Sequence, residues 1–194
     1  MRPLPYVWPF ALLFWVAFAW AYFPEFAIVR KAQRDQGAKD SKSLQVIMAG
    51  QGIAFFLAFP LAWVPALQFS LAHRVTWFFI GVVTMFAGSL IRRHCFRMLG
   101  TSFTGDVRAH SGQEVIQRGL YRFVRHPSYT GGILLNTGVG IALGSWLGAL
   151  LLAVASFAVY TYRMSVEERA LVAEIGEPYR VFMSTRKRLI PFVY

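Results

Sequence analysis

The sequence predicts an all-α, polytopic integral membrane protein with five transmembrane helices, and three observations carry that prediction. Of 194 residues, 56% are hydrophobic and the mean hydropathy is +0.46, too apolar for an ordinary soluble domain. The apolar residues gather into tracts as long as a bilayer crossing, about 20 residues. The basic residues gather in the connectors between those tracts.

The first tract is 8–29, with Trp8, Trp20 and Tyr22 suited to interfacial positions. Ala17-Phe18-Ala19 resembles a cleavage triplet, but the apolar run continues past it, so a retained helix is expected rather than a signal peptide. Pro24 is placed to kink this helix, and Glu25 is expected at the interface rather than facing the protein interior. A polar connector from Arg30 to Lys42 follows, with five cations and two anions. The second span is 44–66, with Pro60 and Pro65 toward its end, and the third is 75–91. The apolar run 131–162 is too long for one crossing, and Gly144-Ser145-Trp146 near its middle is a turn signal, so it reads as a hairpin of spans 129–143 and 146–163.

Connectors 30–42, 92–128 and 163–194 hold 18 of the 20 Lys and Arg residues, and the positive-inside rule places all three in the cytoplasm, with the N-terminus outside and the C-terminus inside. That distribution also explains the formal charge of +11 through topology, so no nucleic-acid partner is expected. Arg92-Arg93-His94 reads as a cationic turn touching lipid headgroups, as do Arg186 to Arg188, each cation contributing about 1 kcal/mol near an anionic surface. The lone Cys95 excludes an intramolecular disulfide, and without a second cysteine or a spaced histidine pair no metal site is expected. No repeat or long linker divides the chain, so residues 1–194 read as one domain.

The chemistry-bearing stretch is Gly119-Leu120-Tyr121-Arg122-Phe123-Val124-Arg125-His126-Pro127-Ser128-Tyr129-Thr130-Gly131-Gly132. Pro127 suits the first position of a helix, which puts Arg125 and His126 at its mouth, with free first-turn N–H groups and the hydroxyls of Ser128, Tyr129 and Thr130 beside them. Gly131 and Gly132 permit close approach to the backbone. Further on, Arg163 and Glu167 stand one helical turn apart where the last span leaves the membrane. A surface pair of that spacing contributes only about 0.2–0.5 kcal/mol. Its place at the end of a transmembrane helix favours a site. Leu171, Val172 and Ile175 continue that helix amphipathically, and Gly176-Glu177-Pro178-Tyr179 ends or turns it. His110 and Gln113 lie in the loop region 99–130, within reach of a ligand, though solvated loop residues are the commoner explanation for such side chains.

Tyr121 to Gly131, then Glu167-Glu168-Arg169-Ala170-Leu171 and Gly176-Glu177-Pro178-Tyr179, resemble the isoprenylcysteine carboxyl methyltransferase family and the related phospholipid methyltransferases, over Leu99 to Pro191. The resemblance implies S-adenosylmethionine as cofactor, bound in a cytoplasmic region formed by 99–130 and 163–194, and a lipophilic methyl acceptor entering from the bilayer. It implies Gln113, Tyr121, Arg125, His126, Pro127, Tyr129, Gly132, Glu167 and Glu168 as cofactor-binding residues. Arg163 and Glu167 would be catalytic, Arg163 orienting an anionic acceptor and Glu167 balancing charge or fixing the cofactor's polar tail. The absence of a glycine-rich loop after a strand excludes a Rossmann-type methyltransferase. A prenylcysteine carboxylate is the first acceptor considered. A phospholipid, small amine or thiol, a nicotinamide-dependent membrane reductase and a non-enzymatic membrane protein remain the alternatives.

Overall fold

The computed structural model describes residues 2–34, 41–99 and 115–194. Among these residues every regular element is helical: α1 (Phe10–Arg34), α2 (Ser41–Leu61), α3 (Arg74–Leu99), α4 (Pro127–Ala142), α5 (Trp146–Ile175) and α6 (Glu177–Thr185). α4 is the central element, flanked by α3 and α5; α2 lies against α5, and α1 against α3. The apolar centre is built from Phe14, Phe78, Met85, Leu135, Val139, Leu143 and Leu152. Many large apolar side chains, Phe23, Phe56 and Val83 among them, point outward, an arrangement that water penalises and hydrocarbon favours. The protein is an integral membrane protein. Ser43–Leu61, Leu71–Leu99 and Trp146–Ile175 are each long and apolar enough to cross a bilayer; Phe10–Phe26 and the 16-residue α4 are shorter.

Glycine brings α3 and α4 together. A Cβ on Gly81 would lie 2.2 Å from the Ala142 nitrogen, one on Gly88 2.4 Å from the Leu135 nitrogen, and one on Gly138 2.5 Å from the Met85 nitrogen. The two backbones therefore touch, the usual route to tight helix association where lipid removes the hydrophobic drive. α1 and α2 instead meet through rings, with Trp15 stacked on Phe59 and Tyr22 edge-on to Phe55. A polar chain crosses the bundle: Tyr22 donates to Asn136 at 2.5 Å, Asn136 to Ser156 at 3.0 Å, and Gln51 to Ser156 at 3.1 Å. It joins α1, α2, α4 and α5.

The hairpin expected around Gly144-Ser145-Trp146 is present: Gly144 has φ +82°, and Ser145 caps α5 by accepting from the Gly148 N–H at 3.0 Å. α2 ends at Leu61, short of the expected 66, because Val64 before Pro65 is extended and Pro65 opens a 3-10 turn. α3 runs to Leu99, past the expected 91, since no glycine or proline stands between Ile91 and Gly100 in the sequence.

Two interfacial expectations are overturned. Arg92 is buried within α3, where it pairs with Glu25 of α1 through Nη2 to Oε2 at 2.5 Å and donates to the Ser128 carbonyl at 2.9 Å. Arg92 therefore does not touch headgroups, and Glu25 faces the protein interior. A charge at this depth is stabilised by a partner, and α3 carries Arg92 to the level of the start of α4. Arg93 lies over the Trp20 ring at 4.0 Å and bonds its carbonyl at 2.5 Å.

Candidate functional site

The turn Gly119–Arg122 leads into His126, the N-cap of α4, and Pro127 opens the helix as expected. The segment before it is held by the C-terminal chain. Arg125 N–H donates to the Lys187 carbonyl at 2.8 Å, His126 N–H to the Arg188 carbonyl at 2.9 Å, and the Thr130 hydroxyl to the Leu189 carbonyl at 2.9 Å. The Arg125 guanidinium reaches the Met183 and Arg186 carbonyls at 2.6 and 3.1 Å. The first-turn amides are less free than the sequence suggests, because those of Tyr129 and Thr130 bond back to the His126 carbonyl at 3.1 and 3.4 Å. The Thr130 hydroxyl is likewise engaged with the C-terminal chain.

α5 supplies the facing groups. Its 30 residues extend about 45 Å, well beyond a hydrocarbon core of about 30 Å, so the charged portion from Arg163 onward projects past the apolar region. Glu167 and Glu168 are neighbours there but point about 100° apart around the helix. Glu168 is buried and accepts from three groups: Arg125 Nη2 and His126 Nε2 meet Oε1 at 3.0 and 3.1 Å, and Arg188 Nη2 meets Oε2 at 2.6 Å. Burial acts to raise its pKa, but the hydrogen bonds from His126 and Arg188 and the nearby charges outweigh it and hold the carboxyl at about 2. The bond to Glu168 in turn raises the Arg188 pKa. Arg188 is thus part of this cluster rather than a headgroup contact, which corrects the reading of Arg186 to Arg188 at that residue.

Glu167 faces a second space. The Tyr129 hydroxyl donates to its Oε2 at 2.8 Å, and His126 Nδ1 lies 3.9 Å from the same oxygen. The Tyr129 hydroxyl also sits beside Arg163, whose Nη1 bonds the Ser43 hydroxyl of α2. Tyr160 stacks on Tyr129 with centroids 5.0 Å apart, and a Cβ on Gly132 would fall 2.7 Å from the Tyr160 oxygen, so Gly132 makes room for that ring. Tyr121 is buried beside Cys95, and burial, followed by the charges of Cys95 and Glu167, raises its pKa. Arg163 is buried, whereas the Glu167 side chain is 32% exposed.

Of the residues singled out from sequence, Tyr121, Arg125, His126, Pro127, Tyr129, Gly132, Arg163, Glu167 and Glu168 converge on this one end of the bundle. Gln113, like His110, lies outside the described residues. Three participants escaped the sequence reading. Tyr160 stands three residues before Arg163 and seven before Glu167, a helical spacing that places it on their face. Ser43 and Arg188 arrive from distant segments, and no spacing connects either to the motif.

The model of the phospholipid methyltransferase family matches residues 76–177. A probable protein-S-isoprenylcysteine O-methyltransferase of Oryza sativa subsp. japonica is 27% identical over 121 residues, covering 60% of this chain and 63% of the relative. Protein-S-isoprenylcysteine O-methyltransferase B of Arabidopsis thaliana is 26% identical over 115 residues, covering 58% of each. The chain thus matches about six tenths of the length of these curated relatives. The fold is similar to that of the eukaryotic intramembrane Ras methyltransferase ICMT (isoprenylcysteine carboxyl methyltransferase), with a TM-score of 0.64, 23% identity, and coverage of 91% of this chain and 64% of that one.

Proposed function

The chain belongs to the phospholipid methyltransferase family, and from that premise we propose that it is an S-adenosylmethionine-dependent methyltransferase acting on a lipophilic acceptor, in the first place an isoprenylcysteine carboxylate. The observation that carries this reading is the pairing, at one rim, of a partly open carboxylate, Glu167, with a buried guanidinium, Arg163, across Tyr129. The donor set fits the cofactor: a carboxylate and three tyrosine rings suit a sulfonium and an ammonium, which are cations. It suits a nicotinamide dinucleotide phosphate poorly, because Arg125 and Arg188 are already committed to Glu168.

Glu167 accepts hydrogen bonds from the cofactor's ammonium or ribose hydroxyls. His126, held by Glu168, and Tyr121 and Tyr129 complete that side of the site. S-adenosylmethionine supplies the electrophilic methyl group. Arg163, fixed by Ser43, orients the acceptor carboxylate, and a guanidinium keeps its charge where a desolvated lysine loses it. A carboxylate attacks without a general base, so the protein's work is alignment at near-attack distance and exclusion of water. An amine acceptor needs a proton removed, and Glu167 is the group placed to take it.

Five spans are proposed, with α1 and α4 completing the crossings, the N-terminus outside, and the site and C-terminus cytoplasmic. Support comes from 18 of 20 Lys and Arg residues lying in three connectors, which the positive-inside rule assigns to the cytoplasm. Calorimetric titration of the detergent-solubilised chain tests the reading: S-adenosylhomocysteine is expected to bind and NADPH is not. Binding of NADPH alone overturns it. Methyl incorporation from labelled S-adenosylmethionine into a panel of lipophilic acids, thiols and amines then identifies the acceptor, and activity confined to amines moves the assignment to phospholipid-type methylation.

A further inference from the structure

After α6 the chain turns back toward the membrane. The Leu189 and Ile190 amides bond the Tyr194 carbonyl at 2.7 and 2.8 Å, and the Tyr194 ring reaches the Phe157 ring of α5 at 5.6 Å. Phe157 lies six residues before Arg163, on the exposed apolar face that also carries Leu150 and Val154. Tyr194 therefore marks where the lipid-facing surface of α5 meets the polar rim. Phe192 is 93% exposed and Val193 70% exposed beside it. Leaving such side chains in water is unfavourable relative to burying them.

Next to them is a groove of about 600 Å³ lined by Arg122, Phe123, Arg186, Lys187, Phe192 and Val193, together with Arg125 and Arg188. No Asp or Glu side chain lines it among the described residues. Arg125 and Arg188 are engaged with Glu168; Arg122, which lies over the Phe123 ring at 5.6 Å, Arg186 and Lys187 have no carboxylate partner among the described residues. The Nε atoms of Arg125 and Arg186 are buried with no hydrogen-bond partner. Basic side chains around an apolar, protruding edge that continues the surface of a spanning helix match one ligand chemistry, a phosphate joined to acyl chains. A soluble phosphate uses the cations but leaves Phe192 and Val193 in water.

We propose that this groove is a headgroup site for one anionic phospholipid of the surrounding leaflet, its phosphate held by Arg122, Arg186 and Lys187 and its acyl chains running past Phe192 and Val193 onto the outer face of α5. Lipid binding there does not depend on the methyl-transfer reading. The detergent-solubilised full chain is titrated with phosphatidylglycerol, phosphatidylcholine and glycerol phosphate, reading thermal unfolding and lipid retention by native mass spectrometry. Phosphatidylglycerol alone is expected to stabilise the protein and to be retained. The combined Arg122→Gln, Arg186→Gln, Lys187→Gln variant is expected to bind it roughly a hundredfold more weakly, as three cations of about 1 kcal/mol each predict. Should that variant fold poorly, Lys187→Glu at an exposed position carries the same test, with at least a roughly tenfold loss expected. Equal binding of phosphatidylcholine, equal binding of free glycerol phosphate, or unchanged phosphatidylglycerol affinity in a folded variant overturns the proposal.

Discussion

Two regions meet at the start of α4, and two adjacent glutamates of α5 show how differently they are built. On one side is a clasp in which Glu168 is buried and saturated by Arg125, His126 and Arg188, while the C-terminal chain pairs with residues 125 and 126. On the other is a chamber in which Glu167 meets the Tyr129 hydroxyl and keeps a third of its side chain exposed. Identical carboxylates thus acquire different capacities: one is filled by the protein and fixes geometry, the other retains acceptor positions for a ligand. His126 joins them, with one ring nitrogen on Glu168 and the other 3.9 Å from Glu167.

Breaking the clasp should have the largest effect. Glu168→Ala leaves two guanidinium groups facing each other across a buried gap, and removing one partner of a buried ion pair costs about 3–5 kcal/mol, the lower end applying because Arg188 is 27% exposed. A fall of many degrees in the unfolding temperature is expected, with S-adenosylhomocysteine binding lost alongside. An unfolding temperature equal to the parent's means the clasp is not structural.

Next comes the chamber. Arg163→Lys is expected to lower turnover of a prenylcysteine-type acid by about tenfold or more while cofactor affinity stays within a few fold, because a lysine loses the planar fork that aligns a carboxylate. Full turnover on every accepted substrate removes Arg163 from catalysis. Glu167→Gln keeps the shape but loses the charge, and should weaken S-adenosylhomocysteine about tenfold with a small change in unfolding temperature. A large stability loss instead erases the contrast with Glu168.

The smallest effect appears only in acid. The folded-state pKa of Glu168, about 2, lies below its ordinary 4.5, so its stabilisation is complete above about 4.5 and is lost as pH falls toward 2. Unfolding temperatures of the parent and Glu168→Gln, measured from pH 7 downward, should converge across that window. A constant difference assigns the stabilisation to packing rather than charge.

The motif residues reveal their common site in sequence because two short-range rules position them. Pro127 starts a helix, and the spacing of Arg163 and Glu167 puts both on one side of another. The same rules misjudged Glu25 and Arg92, which were expected at lipid headgroups. Each charge is unremarkable within its own tract, and only the packing of α1 against α3 brings their side chains within hydrogen-bonding distance.

By itself, the sequence determined the helical membrane class, the hairpin at Gly144 to Trp146 and the family motif, since hydropathy, turn chemistry and helix caps act over a few residues. Only the tertiary structure decided which glutamate is filled and which stays open. That choice rests on Arg188, 20 residues beyond Glu168, and on Ser43, 120 residues before Arg163. Such partners are chosen by the burial penalty on an unpaired charge, which exists only once distant segments have excluded water together.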